Sequence, residues 1–267
     1  MLKQRLMTGI VLIVAFLCLL FYTTAEVFCL LTGLITLAAA WEWTRLMGMK
    51  SKSRRIFYLI FISAALIGAL LISVPLMLIF ALVFWLLMIP LVLYYPRAAF
   101  WKKSVLNQGL MGFFVLVPSW LAINFLRSVE QGQYLLLFFV LICAADSGAY
   151  FSGKLFGKTL LAPRVSPGKT REGLYGGLLA ATLVTLLPLL YFGVPYHLWI
   201  YTFLLSWLTI LFSVLGDLFE SMLKRSENLK DSGKLLPGHG GLLDRIDSIT
   251  AAAPVFALGA ILVSKIS

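Results

Sequence analysis

Charge is scarce in this chain. Only 12% of its 267 residues are Asp, Glu, Lys or Arg, and just 11 of them are acidic. An ordinary soluble domain carries about twice that share, so a water-soluble globule is excluded. Cysteine is scarcer still: Cys18, Cys29 and Cys143 lie far apart, each inside an apolar run. No pair has metal or redox spacing, and each reads as a small buried hydrophobe. Strict polar–apolar alternation is absent, which argues against barrel strands. Internal repeats are absent too, and with them the paired halves natural to a transporter.

What the chain has instead is apolar length. It is 61% hydrophobic, with mean hydropathy +0.98. A bilayer span takes about 20 apolar residues. Nine runs qualify, roughly 7–24, 26–43, 56–73, 75–95, 104–126, 134–151, 173–192, 197–219 and 248–264. The expectation is an all-α polytopic membrane protein of about nine helices. Pro75, Pro90, Pro118 and Pro188 lie in or beside spans, where neighbouring helices re-satisfy freed backbone groups. With the N-terminus cytoplasmic, 20 of the 22 basic residues fall in inside segments, leaving only Arg127 and Lys265 outside. That asymmetry places the C-terminus outside. The net charge of +11 is therefore mainly topological, and nucleic-acid binding is not needed to explain it. The first run has the basic start of a signal peptide, but it is long for one. Its loss would also invert the later loops, so it is read as a retained span.

The chain is asymmetric. Residues 1–140 hold five runs but only three acids, Glu26, Glu42 and Glu130; residues 141–267 hold the other eight. The first region reads as transmembrane scaffold and the second as the catalytic region. Two long inside loops, roughly 152–172 and 220–247, are rich in Gly, Pro, Ser and charge, as functional loops are.

The first loop follows Asp146, near the inside end of the sixth run. An intramembrane aspartate there is either a helix-packing group or a ligand; Ser147 and Lys154 on the same span end favour a ligand. The run Ser166-Pro167-Gly168-Lys169-Thr170 invites a P-loop reading. That motif needs Gly at position 163, which is Pro, and a preceding strand, which is not expected here. The chemistry survives without the motif. Gly168 lets backbone N–H groups approach an anion, Lys169 supplies charge, and Ser166 and Thr170 supply hydroxyls at the start of the seventh helix. A loop that only sets orientation is the alternative.

The second loop is denser. Ser221 to Asp247 carries nine charged residues. Asp217, Glu220, Ser221 and Lys224 follow i, i+3, i+4 and i+7 spacing and share a helix face. Asp244, Asp247 and Ser248 repeat the pattern as the ninth run begins, where early acids also simply suit a helix N-terminus. Two carboxylate faces at one surface suit Mg2+, which takes one or two carboxylates, waters and substrate phosphates. Between them, Pro237-Gly238-His239-Gly240-Gly241 is a turn in which His239 can donate to a phosphate, transfer a proton, or be merely polar.

These residues resemble the signature of the phosphatidate cytidylyltransferases, or CDP-diglyceride synthases, of bacterial type. Ser221, Lys224, Arg225, Lys230, Asp231, Gly233, Leu236, Pro237, His239, Gly240, Gly241, Asp244, Arg245 and Asp247 fill every specified position. The upstream block Ala145–Tyr150, the run Leu161–Thr170, Glu172-Gly173, and Ala39–Trp43 in the second span are similar as well. The one departure is Arg171, where relatives commonly carry Trp, and the role of that position stays open.

The resemblance implies the reaction CTP + phosphatidate → CDP-diacylglycerol + pyrophosphate. It implies a homodimeric enzyme of the bacterial inner membrane, with its site on the cytoplasmic side. It also implies Mg2+, a second cation being left open, with Asp217 and Asp244 as ligands. Asp146 and Asp247 are candidates to ligate the ion or to support its ligands, Asp247 as a catalytic and Asp146 as a substrate-binding residue. Lys169, Lys224, Arg225 and Arg245 hold phosphates, His239 donates a hydrogen bond, and Ser166, Thr170, Glu172, Lys230 and Asp231 complete the substrate contacts. The rival readings are a related lipid kinase, a cytidylyltransferase acting on another lipid, and a multi-span transporter.

Overall fold

A computed structural model describes residues 2–97, 104–191, 193–233, 235 and 240–265. Within them the apolar runs form nine helices: α1 Leu2–Tyr22, α2 Ala25–Leu46, α3 Lys52–Ala69, α4 Val74–Leu93, α5 Val105–Ser128, α6 Gln133–Phe156, α7 Arg171–Tyr191, α8 Tyr196–Ser226 and α9 Leu243–Val263. In hydrocarbon a helix satisfies its own backbone, so long apolar runs have little alternative. Six helical stretches have the length and hydropathy to cross a membrane, one of them the joined α5–α6 stretch. The chain is a multi-pass membrane protein. Between α5 and α6, Glu130, Gln131 and Gly132 adopt positive φ and break the helix.

One local correction concerns the first site loop. It contains a two-stranded antiparallel hairpin, β1 Leu160–Ala162 with β2 Ser166–Thr170. The Ser166–Thr170 run is thus itself a strand, and α7 begins at Arg171. A strand does precede the run after all, yet the P-loop fold still fails, because the run forms no loop between strand and helix. A second correction concerns the cysteines: Cys18 and Cys143 lie on outward faces rather than in the interior.

Two features of packing position the site. The α6–α7 seam is lined by small residues. A Cβ on Gly148 would lie 2.6 Å from the Gly176 carbonyl and 2.7 Å from Ala180 Cβ. Backbones that close give membrane helices their contact area, and the seam carries Asp146 into register with the hairpin. The second feature is aromatic. Phe219 of α8, 1% exposed, meets Trp85 edge-to-face at 5.4 Å and neighbours Trp43 and Phe84. Helices α2 and α4 thereby hold the end of α8 that carries the charges. Helix α8 is 31 residues long, about 46 Å at 1.5 Å per residue. The hydrocarbon core is about 30 Å thick, so roughly its last ten residues, from Asp217 on, reach the interface.

Candidate active site

The i, i+3, i+4, i+7 face of α8 and the first turns of α9 meet as the spacing predicts. The reason is local. Gly216 packs against the Asp247 carbonyl so tightly that any side chain would collide with it. This contact brings Asp217 beside Asp247.

Asp146, Asp217, Asp231, Asp244 and Asp247, with Lys224, Arg245 and Ser248, line one cavity of about 380 Å3 whose walls are polar almost throughout. Asp217 Oδ2 pairs with Lys169 Nζ at 2.6 Å, so β2 delivers its lysine to α8. Ser221 Oγ donates to Asp217 Oδ1 at 3.3 Å. Lys224 Nζ contacts Asp244 Oδ1 at 2.7 Å and Glu220 Oε1 at 3.2 Å. Asp146 is an electrostatic neighbour of Lys169 and Asp217, and Asp247 of Asp217, Lys224 and Lys169.

Asp244 is the most heavily bonded of the carboxylates. Its Oδ2 accepts from Gly241 N at 2.8 Å, Ser232 N at 3.0 Å and Ser232 Oγ at 3.0 Å. Asp247 Oδ1 accepts from Ser248 N at 2.8 Å.

Other expected site residues lie elsewhere. Thr170 Oγ1 accepts from Gly173 N at 3.1 Å and caps α7. Glu172 accepts from Lys158 N at 3.1 Å and Thr159 N at 3.2 Å, bracing the turn before β1. Neither they nor Ser166 line the cavity, and a Cβ on Gly168 would face open space. Arg225 and Lys230 are exposed beyond the cavity wall. His239 lies outside the described residues.

Glu42, Arg45 and Ser232 were not singled out by sequence reasoning. Glu42 and Ser232 are buried, and all three bond to or within the second loop. The available signal was Glu42 itself, one of only three acids in the first 140 residues and set within an apolar run.

The donor set decides what the cavity can hold. Five carboxylates face it, against Lys224 and Arg245 in the wall and Lys169 beside it. Such a lining repels a polyphosphate unless hard cations accompany it, and carboxylate oxygens are the ligands Mg2+ takes. Among the described residues, no three acidic, His or Cys side chains are grouped closely enough to hold a metal alone. Mg2+ bound through one or two carboxylates plus substrate oxygens does not need such a group.

The comparison with known proteins agrees in length. The model of the cytidylyltransferase family matches residues 3–262. A phosphatidate cytidylyltransferase of Haemophilus influenzae is 43% identical over 282 residues, covering 96% of this chain and 98% of the relative. One from Pseudomonas aeruginosa is 43% identical over 266 residues, 96% of both chains. One from Bacillus subtilis is 40% identical over 161 residues, 57% of this chain and 59% of the relative.

Proposed function

The chain belongs to the cytidylyltransferase family, and we propose that it is a nucleotidyltransferase that moves cytidylyl from CTP to phosphatidate. The full-length likeness to enzymes of that name supports the substrates. The single structural observation that carries the reading is the convergence of carboxylates and cations from α6, β2, α8 and α9 at one cavity.

A phosphatidate oxygen attacks the α-phosphorus of CTP. A new P–O bond forms, the bond from the α-phosphorus to the bridging oxygen breaks, and pyrophosphate leaves with the electron pair. The nucleophile is already anionic near neutral pH, so the site needs no strong base; positioning and charge neutralisation are its work. Lys169 and Lys224 turn from their carboxylates toward the phosphates, joined by Arg245 from the cavity wall. Asp217 and Asp244 would hold Mg2+, with Asp146 and Asp247 alongside; when bound, the ion offsets the triphosphate charge and polarises its oxygens. Asp244 would give up its contact with Lys224 to hold the ion.

The orientation follows from the basic residues. The proposal sets nine crossings in a bacterial cytoplasmic membrane, the N-terminus and cavity on the cytoplasmic side, and the C-terminus outside. Reporter fusions after Ser226 and at the C-terminus check it; cytoplasmic placement of both would overturn it. A homodimer belongs to the same proposal on the resemblance alone, and detergent-corrected light scattering measures it.

The direct test gives the detergent-solubilised protein CTP or ATP, a panel of lipid acceptors, and buffers with Mg2+ or chelator. Lipid-linked CDP from CTP and phosphatidate, lost on chelation, is the expected result. Phosphorylated lipid from ATP would overturn the reading in favour of a kinase.

A further inference from the structure

Glu42 is 1% exposed, sits near the end of α2, and has no part in the chemistry proposed above. Its Oε2 accepts from Leu243 N at 2.8 Å and from Ser232 Oγ at 3.2 Å. One turn on, Arg45 Nη1 donates to the Ser232 carbonyl at 3.0 Å. Ser232 in turn donates to Asp244 through its N–H, and its one hydroxyl proton is shared between Asp244 Oδ2 at 3.0 Å and Glu42 Oε2. Two α2 side chains thus grip one serine, and that serine grips a carboxylate of the cavity.

The contact with Leu243 has a specific meaning. Leu243 is the first residue of α9, and the N–H groups of a helix's first turn lack partners within the helix. The usual remedy is a side-chain oxygen on the residue before it. Here that residue is Leu242, which forms no side-chain cap. Glu42 supplies the missing acceptor from another helix, 201 residues away in sequence.

The loop is shaped around this carboxylate. A Cβ on Gly241 would lie 2.6 Å from Glu42 Oε2, and one on Gly233 would overlap Oε1. Both positions bring backbone over the buried acid with no room for a side chain. We propose that Glu42 is a positioning residue: it caps α9 from α2 and, with Arg45, fixes Ser232 so that Asp244 stands correctly for the reaction. The proposal rests on the activity read above, and its effect on turnover is indirect.

The test compares four variants in the full-length protein: Glu42→Ala, Glu42→Gln, Arg45→Ala, and Thr36→Val as a control two turns deeper in α2. Two readouts are taken, cytidylyl transfer and amide hydrogen exchange. Leaving a buried donor unsatisfied carries a penalty large enough for a loss in kcat of about ten- to a hundred-fold. That loss is expected in Glu42→Ala, with faster exchange over residues 229–248 and unchanged exchange over 171–190. Glu42→Gln keeps an acceptor oxygen and is expected to stay within about threefold of wild type, like Thr36→Val.

Wild-type kcat and exchange in Glu42→Ala would overturn the proposal, and so would a Gln variant as impaired as the Ala variant. If Glu42→Ala does not accumulate, Arg45→Ala decides, because it cuts the second tie to Ser232. Unchanged exchange and turnover there would likewise overturn it. A wild-type protein inactive on CTP and phosphatidate would refute the function while leaving the exchange comparison to judge the clamp.

Discussion

Replacing Lys224 by methionine removes one charge and leaves two neighbouring acidic side chains without it. Lys224 is 13% exposed at its side chain, Asp244 7% and Glu220 4%, and the ammonium bridges both carboxylates. Asp244 keeps its donors from Ser232 and Gly241. Glu220 keeps only its contact with Asp244, and Lys224 is its only salt-bridge cation among the described residues. Breaking a buried pair by deleting one partner costs about 3–5 kcal/mol. The retained donors on Asp244 put this case near the lower end, about 3 kcal/mol. For a chain of this size each kcal/mol moves Tm by about 2–4 °C, so Lys224→Met is expected to melt roughly 6–12 °C lower in detergent. Adding Glu220→Met removes the stranded buried acid and is expected to recover most of that loss, since replacing both partners of a buried pair by apolar groups is often neutral. Neither variant should regain cytidylyl transfer, because the phosphate contact is gone from both. Paired melts by intrinsic fluorescence and turnover on matched amounts of protein provide the assay. An unchanged Tm in Lys224→Met would refute the claim that Glu220 depends on it, and activity in the double variant would refute the phosphate role.

Two further outcomes follow from the same geometry. Lys169→Ala removes a charged contact worth about 1.5–3 kcal/mol, so kcat/KM for CTP should fall about ten- to 150-fold, whereas Arg54→Ala, exposed on α3, should leave it unchanged; equal losses in the two would mean that general inside charge, not a phosphate site, is responsible. Gly216→Val forces α8 from α9 at the Asp247 carbonyl and should lower both stability, by about 1–3 kcal/mol, and turnover, while Gly68→Val, at a position with open space around it, serves as the harmless comparison in the same melt and turnover measurements.

Much of this was legible in the chain because its signals are local. Apolar length marks helices wherever lipid forbids other backbone, and the i, i+3, i+4 acids announce one face. Asp146, Lys169, Lys224, Asp231, Arg245 and the α8 and α9 aspartates all stand at or beside one cavity. The hairpin was hidden because Ser166-Pro167-Gly168-Lys169-Thr170 has neither alternation nor β-branched bulk before Thr170, and Val165 anchors its turn in the core instead. Thr170 and Glu172 carry polar oxygens that suit a substrate equally well, yet three-dimensional context assigns them to a helix cap and a turn. Glu42 was illegible for a different reason. Its partners Ser232 and Leu243 lie 190 and 201 residues away, and no periodicity spans that distance.

The central claim is that the bond broken lies between the α- and β-phosphates of CTP and that phosphatidate accepts the α-phosphorus. Protein in phosphatidate vesicles, supplied in parallel with CTP labelled at the α- or at the γ-phosphate, measures this directly. The account predicts α-label in the lipid fraction, γ-label in released pyrophosphate, and neither transfer in Asp217→Asn purified as a folded protein. Label from the γ-phosphate appearing in lipid, or full α-transfer by Asp217→Asn, would contradict it.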